Sequence, residues 1–111
     1  MAFSRIIAIH KDGGHLQHEY KAIILCHINE QNKISDGEWF GYIKNESITY
    51  PFVLQRGQQL FYGNEAQWFE PTNIGSRKIE VGGYFTIFNS PEDSEPFESI
   101  YEITAIHEVT G

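Results

Sequence analysis

The run Lys21-Ala22-Ile23-Ile24-Leu25-Cys26-His27-Ile28 constrains this chain most, because its apolar residues fall on both parities. A half-exposed strand alternates apolar with polar, whereas apolar side chains on successive residues read as a strand covered on two faces. Tyr20 to Ile28 is therefore expected to be a central strand. Two further segments share its character: Ile103-Thr104-Ala105-Ile106-His107 echoes Ile6-Ile7-Ala8-Ile9-His10, and both are short and β-branched. Arg5 to His10 and Ile100 to Val109 are expected in one sheet beside the central strand, with His10 and His107 facing the same side. So short an echo follows from shared propensity and burial as readily as from duplication.

Between these segments the punctuation is that of β structure. Lys11-Asp12-Gly13-Gly14 offers the positive-φ residues of a tight turn. Ser35-Asp36-Gly37-Glu38 has capping-box spacing, which predicts a short helix from Asp36 to Lys44 closed by Asn45, with Trp39, Tyr42 and Ile43 on one face. The competing pattern is a strand with Trp39, Gly41 and Ile43 on one side. Ser47 to Leu54, Gln59 to Tyr62 and Ala66 to Phe69 read as strands, and Pro51 belongs at an edge or a bulge. Glu70 to Arg77 reads as a surface loop, and Lys78 to Phe88 as a strand bent at Gly82-Gly83. Asn89 to Phe97 reads as a solvated acidic loop. The expected fold is mainly β: a small antiparallel, strongly curled sheet or barrel of about six strands with one short helix. Residues 1–111 are read as a single domain.

Composition narrows the function classes. Fifteen carboxylates against eight Lys and Arg give a formal charge of -7, and the cations are scattered along the chain. A phosphate backbone or an anionic membrane would be repelled, so no direct nucleic-acid or membrane partner is expected, and a basic protein partner fits better. No apolar run is long enough to span a bilayer and no cleavable signal pattern opens the chain, so a cytoplasmic location is expected. Cys26 is the one cysteine, which excludes an internal disulfide and suits a small buried hydrophobe.

Residues as far as about Phe61 resemble a family of small bacterial domains of unknown function. The matching residues are Ile7-Ala8-Ile9, Lys11-Asp12-Gly13-Gly14, His18-Glu19, and Trp39 with Ile43-Lys44-Asn45. The resemblance implies an order of strand, Lys-x-Gly-Gly turn, strand and short helix, and it implies no activity.

Two constellations could carry function. His10, Asp12, His15 and His18 place imidazoles and a carboxylate densely enough to hold zinc or a similar divalent ion, as in a small metal-dependent enzyme. The plainer reading is a polar hairpin loop, since no established zinc spacing is present. The second is aromatic. Two Trp, six Tyr and eight Phe exceed what so small a core can hide, and doublets such as Trp39-Phe40 and Phe61-Tyr62 put neighbours on opposite faces of a strand. Exposed rings beside carboxylates suit a protein partner or a small ring-bearing ligand, and an oligomer partner would also bury them. The candidate surface is Trp68, Phe69 and Glu70 with Glu92, Asp93, Glu95 and Phe97. The function expected is that of a non-enzymatic acidic binding domain, for example an inhibitor or immunity-type protein, with the metal enzyme and a small-ligand barrel as alternatives.

Overall fold

The computed structural model describes residues 2–63, 69–89 and 97–109. Its strands are β1 (Ala2–Asp12), β2 (His15–Ile28), β3 (Glu38–Asn45), β4 (Ile48–Gln55), β5 (Gln59–Phe61), β6 (Phe69–Pro71), β7 (Tyr84–Asn89) and β8 (Phe97–Glu108). They form one antiparallel sheet in the order β6-β5-β4-β3-β2-β1-β8-β7. The first and last strands pair along most of their length, from Ser4 opposite Glu108 to Lys11 opposite Ile100, as the terminal echo predicted. Register slips at Ile7/Ala8 against β8 and at Ile9/His10 against β2 bend β1. The two ends of the sheet then meet at an isolated bridge between Thr72 and Ile87, which makes a nearly closed barrel.

Side chains reinforce that closing seam, where the Asn73 backbone N–H also donates to the Thr86 carbonyl at 3.3 Å. The Thr86 backbone N–H donates to Asn73 Oδ1 at 2.8 Å, and the Thr86 carbonyl accepts from the Thr72 hydroxyl at 2.7 Å. Asn73 thus stands in for the missing neighbour strand. Asn73→Ala leaves a half-buried Thr86 N–H without its acceptor, and is expected to cost about 1–3 kcal/mol. A thermal melt should show a fall of several degrees, about 4–8 °C for each kcal/mol in a domain of this size. A melting temperature unchanged from wild type would mean that the seam does not depend on this side chain.

Inside the barrel lie Ile6, Ala8, Ala22, Ile24, Cys26, Phe52, Leu54, Leu60, Phe85, Ile87, Tyr101 and Ile103. Burial alone pushes the Cys26 thiol up to about 12, so it is an inert packing group. Ile34, Ile74 and Ile79 extend the core, Ile74 from a single 3-10 turn (Ile74–Ser76). Gly13 and Gly14, with φ of 58° and 83°, make the two-residue hairpin between Asp12 and His15.

Several expectations are corrected. The described residues form eight strands rather than about six, and the segment 36–44 is no helix: Glu38–Asn45 is β3, paired with β2 and β4. The Ser35 and Glu38 capping box does not form. Ser35 Oγ lies 2.6 Å from His27 Nδ1, and the Ser35 carbonyl accepts from Trp39 Nε1 at 2.8 Å. Gly82-Gly83 does not bend a strand interior. It belongs to a turn before β7, whose backbone Gly82 N–H and Gly83 carbonyl bond Ile103. Glu70 and Pro71 belong to β6 rather than to a loop. Pro51 sits on an inner strand, yet β5 pairs only with Val53–Gln55, so the proline lies beyond the end of that ladder. Of the predicted strand Ala66 to Phe69 and the acidic loop, residues 66–68 and 90–96 lie outside the described residues.

Candidate functional site

The outer face of the sheet is apolar over most of its width. Strand alternation assigns the faces: Trp39 and Ile43 pack on the core, so Glu38, Phe40, Tyr42 and Lys44 of β3 point outward. Register then aligns one outward row, Leu25, Phe40, Val53, Phe61 and Phe69, across five strands from β2 to β6. A second row runs Ile7, Ile23, Tyr42 and Pro51. None of these belongs to the core cluster. Phe40 is 61% exposed and Phe69 52%. Beyond the apolar rows the face turns polar at both ends of the strands, with Lys21, Lys44 and Thr49 at one end and Glu38, Gln55 and Gln59 at the other.

Gly41 allows the sheet to carry side chains on both faces at this point. A Cβ there would sit on the Ile23 carbonyl oxygen, 2.8 Å from Phe52 Cζ and 3.1 Å from Ile24 Cα. The absent side chain lets β3 close on β2 above the Phe52 ring, which fills the interior where a larger residue would have pointed.

The surface predicted from sequence is only partly assembled. Phe69 is exposed and terminates the aromatic row, but Glu70 is not a surface carboxylate: it is 8% exposed. Glu70 lies opposite Leu60, facing inward, and accepts a hydrogen bond from Tyr62 Oη at 2.6 Å. Burial first and the Glu70 hydrogen bond second raise the Tyr62 phenol far above its ordinary range. Burial, with a smaller contribution from Glu70, pushes Tyr101 up to about 12. Phe97 opens β8 opposite Asn89. Trp68, Glu92, Asp93 and Glu95 lie outside the described residues.

The four metal candidates point in different directions. His10 faces the barrel interior opposite Tyr101, its ring edge-on to Tyr20 and Tyr101 with centroids 6.3 and 5.5 Å away. Its Nδ1 is buried with no hydrogen-bond partner among the described residues. Asp12 and His15 flank the glycine turn, and both are exposed, as is His18. Among the described residues no three His, Cys, Asp or Glu side chains come together to hold a metal ion. His107 pairs with Arg5 on the outward parity and is exposed, so it does not share a side with His10.

Sequence reasoning did not find the outward row, although its signal was present. The doubled parity of Tyr20 to Ile28 fits β2, where Ala22, Ile24 and Cys26 are buried on the inward parity and Ile23, on the outward one, is only 7% exposed. No described helix is long and apolar enough to cross a membrane. No protein-family model matches the chain, and no curated protein or solved structure matches it either.

Proposed function

We propose that this chain is a non-enzymatic protein-binding domain whose working surface is the outward face of β2 to β6, and that this face docks a second copy of the chain. The observation carrying the proposal is the outward sequence of β3: Glu38, Phe40, Tyr42, Lys44. It is apolar in the middle, acidic at one end and basic at the other. A two-fold axis lying across the strands between Phe40 and Tyr42 turns this row end for end, so that Glu38 of each copy meets Lys44 of the other. The same axis lays the row Leu25, Phe40, Val53 over the row Ile23, Tyr42, Pro51. Such an isologous contact is sheet-on-sheet packing, with aromatic rings in the middle and ion pairs at the rim.

The net charge of -7 opposes association at long range. At physiological salt the Debye length is about 8 Å, so carboxylates remote from the face are screened, whereas Glu38 and Lys44 would meet in contact. An inhibitor-type reading through the acidic stretch would need Glu92, Asp93 and Glu95, which lie outside the described residues.

Sedimentation velocity over a concentration series tests the proposal. Wild type is expected to form a reversible dimer and Phe40→Asp to remain monomeric, with both folded by circular dichroism. Glu38→Lys and Lys44→Glu should each self-associate more weakly, because each sets like charges opposite one another. An equimolar mixture of the two should regain dimer, since both rim pairs are then opposite in sign. A wild-type chain that stays monomeric up to about 1 mM, or a mixture no better than its components, would overturn the proposal.

A further inference from the structure

A groove of about 430 Å³ lies on the other side of the barrel, between the Gly13-Gly14 turn, the segment Asn73 to Arg77 and the strands β7 and β8. Its polar side chains are Lys11, Asn73, Arg77 and Thr86, and its exposed apolar side chains are Tyr84 and Ile100. Among the described residues no carboxylate lines this groove.

The donors are held in place by bonds that leave part of their capacity unused. Arg77 Nε donates to the Tyr84 carbonyl at 2.9 Å, which fixes the plane of the guanidinium while its two terminal nitrogens have no acceptor among the described residues. Asn73 spends its Oδ1 on the Thr86 N–H, and its amide NH₂ likewise has no described acceptor. Lys11 Nζ donates to Tyr84 Oη at 2.9 Å and to Glu102 at 3.1 Å, and lies 5.0 Å from the centre of the Tyr84 ring. Glu102 neutralises Lys11 only, so the groove keeps a net positive charge from Arg77. A wall rich in donors, whose nearest described carboxylate, Glu102, is already paired with Lys11, is with its apolar strip complementary to an anionic oxygen group on an apolar body.

We infer that this groove binds a small organic oxyanion, a carboxylate or phosphate carried on an apolar or aromatic body. The Arg77 fork and Asn73 amide take the oxyanion, Lys11 lies alongside it, and Tyr84 and Ile100 cover the body. The site shares none of its lining residues with the outward face of β2 to β6, so it stands or falls separately from self-association.

Titration of the full chain by ¹H–¹⁵N NMR tests this, with benzoate, phenyl phosphate, inorganic phosphate and benzylamine as probes. Benzoate or phenyl phosphate is expected to shift the amides of Gly13, Gly14, Tyr84 and Thr86 saturably, and the tighter of the two identifies the oxyanion. Inorganic phosphate, lacking the body, should bind at least about tenfold more weakly, and benzylamine should leave these amides unmoved. Arg77→Gln is expected to weaken binding about tenfold or more, the size of one charge-assisted contact. Because Arg77 also braces β7, a second variant guards against a purely structural effect: Ile100→Glu, on the exposed face of β8, puts a carboxylate into the groove and should abolish binding with the fold intact. Absence of saturable shifts for both aromatic anions, equal binding of benzylamine, or unchanged affinity in both folded variants would overturn the inference.

Discussion

Gly41→Ala is expected to unfold the barrel or come close to it. The added methyl would fall on the backbone carbonyl of Ile23 and within 2.8 Å of the buried Phe52 ring. The backbone cannot yield without opening the β2–β3 ladder, and Phe52, 4% exposed, has no free volume to enter. Overpacking ordinarily costs about 1–3 kcal/mol; a clash with backbone in a central ladder belongs at or above the top of that range. Against a total stability of roughly 5–15 kcal/mol, a loss of about 3 kcal/mol or more is a large share. Urea unfolding should show the midpoint falling sharply. Gly13→Ala is the contrast, because a Cβ there meets nothing within 4 Å and the change loses only the left-handed preference, about 1–2 kcal/mol. If Gly41→Ala melted like wild type while Gly13→Ala did not, the close approach of β3 to β2 would be refuted.

Ile103→Asp should be as damaging for a different reason. Ile103 is 1% exposed, lies opposite Ala8 in the pairing of the first and last strands, and belongs to the core cluster. A carboxylate there has no described cation within the core to pair with, so it must be buried as an unpaired charge or taken up as the neutral acid, at a cost of several kcal/mol. Ile100→Asp, three residues earlier on the outward parity, should change stability by only about 0.5–1 kcal/mol. Circular dichroism melts of the pair distinguish an inward Ile103 from an outward Ile100. Equal effects at the two positions would contradict the register of β8 on β1.

The strands that close the barrel were legible because their signal is local and redundant. β-branched runs at Ile6–Ile9 and Ile103–Ile106, and glycines at positive φ after Lys11, each point to the same topology. Residues 36–44 misled because Ser35 and Glu38 have the spacing of a helix start, while Ser35 is engaged by His27 and Trp39 from neighbouring segments. Tertiary partners of that kind carry no sequence period. Glu70 is a similar case: a lone glutamate beside a proline reads as surface, and only the fold brings Tyr62 to its carboxylate. The outward aromatic row was half legible. The doublet Trp39-Phe40 told that one ring of the two faces away from the core, but its alignment with Val53, Phe61 and Phe69 depends on the register of four ladders.

The arrangement of that row against its own image can be observed directly. In a sample mixing isotope-labelled and unlabelled chains, isotope-filtered NMR records only contacts between different copies. The two-fold packing predicts intermolecular NOEs from the Phe40 ring to Tyr42, and from the side chain of Lys44 to Glu38. A dimer whose intermolecular contacts arise elsewhere, with Phe40 and Tyr42 showing none, would contradict it.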